Sequence, residues 1–185
     1  LRIVGGRLKG TALATPKSNA TRPTTDRLRE SVFNVLMHAY DNPITDARVL
    51  DLFAGTGALG LEAMSRGAKY CTFVEEAVEP RGLIRRNIES MGLMGATRIL
   101  RRDATRLGPT GTIAPFDLVF LDPPYNQGLG ENALISAAEG GWLASGALCL
   151  LEEDAAAHIE LPEGFELLEE RKAGDCATRF LRYLS

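Results

Sequence analysis

The chain has 185 residues, 45% of them apolar and 24% charged, with a net charge of -3. That suits one soluble domain with a well-buried core. It excludes a membrane span, because no apolar run approaches the roughly 20 residues needed. No secretory signal precedes the first predicted strand. The three cysteines, Cys71, Cys149 and Cys176, are far apart and form no Cys-x-x-Cys pair. The expectation is a cytoplasmic protein with small buried thiols, no disulfide framework and no metal.

Charge is unevenly spread. Residues 1–30 hold Arg2, Arg7, Lys9, Lys17, Arg22, Arg27 and Arg29 against Asp26 and Glu30, seven minus two, or +5. Residues 150–170 hold eight acids and no Lys or Arg, or -8. The net charge argues mildly against a nucleic-acid partner. Its distribution argues for one, with a basic face to hold a polyanion and an acidic end kept away from it.

In chain order, residues 2–10 read as a small basic hairpin with glycine at the turn or bulge. Thr21 to Asp26 leads into a helix that Thr25 or Asp26 can cap. Leu28, Val32, Val35, Leu36 and Ala39 form its apolar stripe, and Arg22, Arg27 and Arg29 lie at or near its start, off that stripe. Residues 41–46, with Pro43, are a linker. From Val49 strand and helix alternate. Strands are predicted at 49–53, 70–75, 97–101, 116–122 and 147–151. Helices are predicted after the first of these to about Arg66, from about Pro80 to Gly92, and over 130–139. Two closing strands at 166–171 and 178–184 flank Gly174-Asp175. This pattern predicts a mostly parallel α/β sheet with helices on both faces and an antiparallel last strand.

The first strand runs into Asp51-Leu52-Phe53-Ala54-Gly55-Thr56-Gly57-Ala58-Leu59-Gly60, a strand, a tight turn and a helix start. Gly55 permits the turn, Gly57 a close approach of backbone to ligand, and Gly60 close packing of helix on strand. Gly-x-Gly-x-x-Gly also fits a nicotinamide enzyme. Asp51 at the strand end instead favours a cationic ligand, such as S-adenosylmethionine with its ammonium and sulfonium and no phosphate. Ligands of such sheets bind beyond the C-terminal strand ends. Asp51, Glu75, Asp103 and Asp122 stand at four such ends. Glu75, 20 residues after Gly55, is placed to accept from ribose hydroxyls, with Glu76 able to share or take that role.

Asp122-Pro123-Pro124-Tyr125 is the second motif. The prolines fix φ and remove two donors. The Asp122 carboxylate and the Pro123 carbonyl can then grip a planar –NH2, and Tyr125 can stack on the attached ring. Two acceptors on the amine hydrogens favour a pyramidal nitrogen whose lone pair points at an incoming methyl group.

Together these two motifs resemble a class I S-adenosylmethionine-dependent amino-methyltransferase, with its Rossmann-like sheet. Adding Arg2-Ile3-Val4-Gly5-Gly6 and Arg22-Pro23-Thr24-Thr25-Asp26-Arg27-Leu28-Arg29-Glu30, nearly the whole chain resembles the RsmD family, which methylates a guanine N2 in bacterial 16S ribosomal RNA. The resemblance implies S-adenosylmethionine as cofactor, held by Asp51, Phe53, Gly55 and Gly57 at its amino-acid end, by Glu75 or Glu76 at its ribose, and by Asp103 and Ala104 at its adenine. It implies that Asp122, Pro123 and Tyr125 handle the target guanine and that Arg22, Thr24 and Arg27 line the RNA entrance. The expected organisation is an RNA-binding extension, residues 1–46, on a methyltransferase domain, residues 47–185. The expected partner is 16S ribosomal RNA in an assembled or assembling small subunit, met by a monomer. Three alternatives stay open: the same chemistry on DNA adenine or protein glutamine, a nicotinamide-dependent oxidoreductase, and a non-catalytic RNA-binding module.

Overall fold

The computed structural model describes residues 1–17 and 25–185. Its frame is a seven-stranded sheet made of β1 (Arg48–Leu52), β2 (Tyr70–Val74), β3 (Thr97–Leu100), β4 (Phe116–Leu121), β5 (Leu143–Asp154), β6 (Phe165–Ala173) and β7 (Cys176–Tyr183), in the order β3-β2-β1-β4-β5-β7-β6. The first five strands pair in parallel, and β7 runs antiparallel between β5 and β6. The expected Rossmann-like class I methyltransferase sheet is therefore present, with its antiparallel last strand.

The strands alternate their side chains between two apolar layers. Val49, Cys71, Phe73, Leu118 and Phe120 face one layer with α1 (Asp26–Ala39), α2 (Ala58–Ser65) and α3 (Val78–Met91). Leu50, Leu52, Val74, Val119 and Leu121 face the other, with α4 (Leu129–Glu139) and the fully buried Trp142. Both faces of the parallel strands are covered, which is why these strands read as continuous apolar runs. Helix α1 starts where Thr25 Oγ1 accepts from the Leu28 N–H at 3.1 Å, a side-chain N-cap. Helix α2 lies so close to the sheet that a Cβ at Gly60 would stand 2.5 Å from Phe73 Cε1 and 2.7 Å from Cys71 Sγ. Only glycine fits there.

Three expectations need correction. The hairpin expected over residues 2–10 is minimal and set slightly later: Ile3 N–H donates to Thr11 O at 2.9 Å, Gly10 N–H to Ile3 O at 2.8 Å and Leu13 N–H to Leu1 O at 3.0 Å, around one antiparallel bridge between Arg2 and Ala12. The donors of Val4 and Gly5 go to the Glu62 carboxylate at 3.0 Å each. Arg29 is not a surface cation. It is fully buried and bonds Glu62, also fully buried, at 3.4 Å and Asp26 at 2.8 Å. Arg66 closes the other side of Glu62 at 2.8 Å. A carboxylate enclosed between two helices must be paired there. The N-terminal loop, α1 and α2 thus share one charged node.

The third correction concerns the acidic run. Strand β5 extends beyond residues 147–151 at both ends, because Glu152, Glu153 and Asp154 pair with Thr178, Ala177 and Cys176 of β7. Glu152 and Glu153 are buried at the end of β5 beside β4. Further on, Glu169 accepts from the Tyr40 hydroxyl at 2.6 Å and Glu170 pairs with Arg179 at 3.1 Å. The run is not one solvated surface held away from the site. Cys71 and Cys149 are buried, and Cys176 is half-buried with its thiol donating to Ala173 O at 3.3 Å. No helix among the described residues is long and apolar enough to cross a membrane.

Candidate active site

The C-terminal ends of β1 to β4 open onto a cleft of about 550 Å3. The chain leaves β1 in a tight turn with three left-handed residues: Phe53 at φ 58°, Gly55 at φ 58° and Gly57 at φ 81°. A phenylalanine in that region is strained. The turn is held by its neighbours. Ala54 N–H donates to Val74 O at 3.1 Å and Gly57 N–H to Ala54 O at 2.8 Å. Glu75, at the end of β2, accepts from Gly55 N–H at 2.8 Å with one oxygen and from Ala77 N–H at 3.0 Å with the other. One carboxylate therefore ties the glycine turn to the start of α3.

Asp51 is 1% exposed, and its Oδ2 accepts from the Gly60 N–H at 3.0 Å. Burial pushes its carboxyl well above the ordinary range, the charges of Asp122 and Glu75 push the same way, and the Gly60 N–H pulls back. Asp51 and Gly57 lie beneath the cleft rather than on its wall. Gly57 is explained by its φ and by a Cβ position 3.2 Å from Ile84 Cγ1 and 3.3 Å from Phe73 Cε1.

On the wall, Phe53, Gly55, Glu75, Glu76, Asp103 and Ala104 stand on the β1–β3 side. Asp122, Pro123 and Tyr125 stand on the β4 side. Glu76 is exposed and Glu75 half-buried. Asp103 caps the short turn Ala104–Arg106, accepting from Thr105 Oγ1 at 2.7 Å and from its N–H at 2.9 Å. Those two bonds hold its carboxyl below the usual range. The lining carries four acids, Glu75, Glu76, Asp103 and Asp122, against Arg102, four minus one, or -3. Such a cleft attracts a cation bearing hydroxyls and an amine and repels a pyrophosphate, which counts against the nicotinamide alternative.

The Asp122-Pro123-Pro124-Tyr125 loop is fixed from β5. Tyr125 OH donates to Glu152 Oε1 at 2.8 Å, Asn126 N–H to Glu153 Oε1 at 3.0 Å, and Asn126 Nδ2 to Asp154 Oδ2 at 2.9 Å. Pro123 is buried and Pro124 exposed. Sequence reasoning missed these three acids, although they stand at the end of a fifth parallel strand and the strand-end rule applies to them equally. It also missed Asn87 on α3, 2% exposed, which accepts from Ala14 N–H at 2.7 Å and donates to Thr56 O in the glycine turn at 3.2 Å.

Of the residues assigned to RNA, Tyr125 lines the cleft, and Arg22 and Thr24 lie outside the described residues. Arg27 is exposed on α1 in a shallow groove with His38 and Arg171, apart from the cleft lining.

The family model described as "Conserved hypothetical protein 95" matches residues 1–182. The ribosomal RNA small subunit methyltransferase D of Escherichia coli K12 is 38% identical over 183 residues, covering 97% of this chain and 88% of that protein. Its namesake from Haemophilus influenzae is 35% identical over 176 residues, covering 94% and 89%. The solved structure of the Escherichia coli protein yhhF superposes with a TM-score of 0.84 at 34% identity, covering 100% of this chain and 98% of that one. In sequence from end to end and in the fold that carries its cleft, the chain belongs to the RsmD family of methyltransferases.

Proposed function

We propose that this chain transfers the methyl group of S-adenosylmethionine to the exocyclic N2 amine of a guanine in 16S ribosomal RNA of the small subunit. The observation that carries this reading is one cleft in which acidic cofactor-side residues and the Asp122-Pro123-Pro124-Tyr125 loop face each other. The names of the relatives, ribosomal RNA small subunit methyltransferase D, support the substrate class.

The donor set fits the cofactor. Glu75 and Glu76 stand ready for ribose hydroxyls and Asp103 with Ala104 for the adenine edge. The acidic lining offsets the cofactor's two cationic centres, with Asp51 below Gly60 stiffening the turn. When bound, S-adenosylmethionine supplies an electrophilic methyl group on sulfur. The chain's own work is positioning. Asp122 and the Pro123 carbonyl accept from the two hydrogens of the guanine amine, which holds the nitrogen lone pair toward the methyl carbon. Tyr125, held by Glu152, stacks on the base. Alignment of this kind supplies several kcal/mol of a barrier. The N–C bond forms as the S–C bond breaks, and the nitrogen then loses one proton, to Asp122 or to water. The guanine must leave its stack to enter. Residues 1–46 serve as the RNA-facing extension of the same domain, in a cytoplasmic monomer.

The test is incubation with labelled S-adenosylmethionine and unmethylated small ribosomal subunits, followed by nucleoside analysis. N2-methylguanosine at a single site is expected. Label on duplex DNA or on a protein glutamine in place of RNA overturns the substrate and keeps the amine chemistry.

A further inference from the structure

The N-terminal segment is one of two basic stretches. From Arg81 to Arg106 the chain holds Arg81, Arg85, Arg86, Arg98, Arg101, Arg102 and Arg106, no lysine, and the acids Glu89 and Asp103. Seven minus two is +5, in a protein whose net charge is -3. Four of these residues lie along the β3 side of the sheet: Arg85 and Arg86 are exposed on α3, Arg98 on β3 and Arg101 just beyond β3, while Arg106 is exposed in the following turn, in a groove against α4 with Glu139. Strand β3 is an edge strand, bonded to β2. Among the described residues none of these five arginines forms an ion pair.

Two more arginines, Arg81 and Arg102, stand half-buried at the cleft with their guanidinium groups engaged. Arg81 donates to the Glu76 carbonyl at the lip. Arg102 lines the wall, with its guanidinium 5.5 Å from the Trp142 ring centroid and a bond to Leu107 O at 3.0 Å. The N-terminal loop adjoins the same helix, since Ala14 N–H bonds Asn87 on α3, so the two basic stretches are neighbours. The exposed glutamates Glu166 and Glu170 lie on β6, the opposite edge of the sheet. Six strand spacings of about 4.8 Å put the two edges roughly 29 Å apart.

Five exposed guanidinium groups with no ion pair among the described residues, on or near the sheet edge next to a cleft, fit phosphates better than they fit solvent. Arginine is weakly hydrated and presents a donor fork that matches a phosphate bidentately. We infer that the α3–β3 edge is a second RNA-binding surface, which holds the phosphate backbone flanking the target nucleotide while the base enters the cleft. This rests on the reading of the substrate as RNA. The N-terminal segment alone would grip the RNA on one side of the mouth. The arginine edge adds a second hold that fixes the direction from which the strand crosses the cleft.

The test uses the full chain with two charge-reversal pairs, Arg85→Glu with Arg86→Glu, and Arg98→Glu with Arg101→Glu. Binding of protein-free 16S ribosomal RNA is measured across a series of potassium chloride concentrations. Each pair is expected to weaken binding about tenfold and to make the slope of log affinity against log salt shallower by about two. Calorimetry with S-adenosylhomocysteine and circular dichroism should match the wild type. Unchanged affinity and slope in folded variants would mean the edge is a solvated face, and the inference fails. A defect on assembled subunits with none on protein-free RNA would make the edge a docking site for a ribosomal protein, and also overturns it. Binding is read without turnover. A wild type that binds RNA with the expected slope but transfers no methyl group therefore counts against the proposed activity and leaves this surface standing.

Discussion

The hydroxyl of Tyr125 donates to Glu152 Oε1 at 2.8 Å, so the aromatic ring of the Asp122-Pro123-Pro124-Tyr125 loop is set from a strand outside that motif. Glu152 is 6% exposed, and its carboxylate holds the phenol in one orientation. Removing the acceptor frees the ring to turn away from the cleft. Glu152→Ala is expected to lower kcat about tenfold, with S-adenosylhomocysteine affinity unchanged. Glu152→Gln keeps an acceptor and should retain most of the rate. In a double-mutant cycle with Tyr125→Phe the two losses should not add. Full additivity would show that Glu152 does not act through the phenol.

Asp122→Ala removes one of the two acceptors proposed for the target amine. Methyl transfer to small subunits is expected to fall below detection, while RNA affinity stays within about threefold, since one carboxylate contributes no phosphate contact. Undiminished turnover in this variant would sink the catalytic assignment.

Glu75 accepts backbone donors with both carboxylate oxygens, from Gly55 and Ala77. Glu75→Gln has a single acceptor oxygen and must set its –NH2 against one of those N–H groups. A group left unsatisfied in this way costs about 1–3 kcal/mol. The glycine turn should loosen, with a lower melting temperature and weaker S-adenosylhomocysteine binding by calorimetry. Equal affinity in wild type and variant would mean Glu75 neither holds the turn nor meets the ribose.

Asp51 predicts a pH dependence of stability. Its folded pKa is raised, chiefly by burial and then by Asp122 and Glu75. The folded state therefore binds more protons than the unfolded one. Its contribution is fully present below the ordinary carboxylate value of 3.8 and is lost as pH climbs through the folded value. Asp51→Asn keeps an acceptor for Gly60 N–H and removes that loss. Melting scans that start near the ordinary carboxylate value should show the variant gaining on the wild type as pH rises. A gap that stays constant from there up to about pH 8 rejects the buried-acid account.

Arg29 and Glu62 are both fully buried. Arg29→Met leaves the Glu62 carboxylate with Arg66 and the two N-terminal N–H groups, and should cost about 3 kcal/mol in urea unfolding. Adding Glu62→Gln should recover part of that loss. If the single substitution proves neutral, the node does not anchor α1 to α2.

Much of this was legible in the chain because it rested on local chemistry. Apolar runs and glycine stops marked the parallel strands, and the spacing of the glycine turn marked Gly60 as a point of close helix–sheet packing, though not that its neighbours would be Phe73 and Cys71 of the adjacent strand. The same rule, acids at the ends of parallel strands, named Asp51, Glu75, Asp103 and Asp122; the last three line the cleft and Asp51 is buried beneath it. What was not legible depended on pairing across the fold. Arg29 reads as a surface cation until Glu62 arrives from another helix. Glu152 reads as part of an acidic surface until β7 pairs with β5 and carries it beside Tyr125. Asn87 has no signal of its own, since its role comes from lying between Ala14 and Thr56, which are 73 and 31 residues away along the chain.

Phe53 at φ 58° bears on how this fold can drift. A bulky residue in the left-handed region carries a conformational penalty of about 1–3 kcal/mol that glycine would relieve. Replacement by glycine is the obvious stabilising step, yet it would also remove the aromatic side chain from the cleft wall and widen the range of shapes open to the turn. Selection for thermal endurance and selection for turnover therefore pull in opposite directions at this single position. A lineage that keeps the phenylalanine must carry the compensating stability in the layers beneath it, where Leu52, Val119 and Leu121 pack away from the cleft.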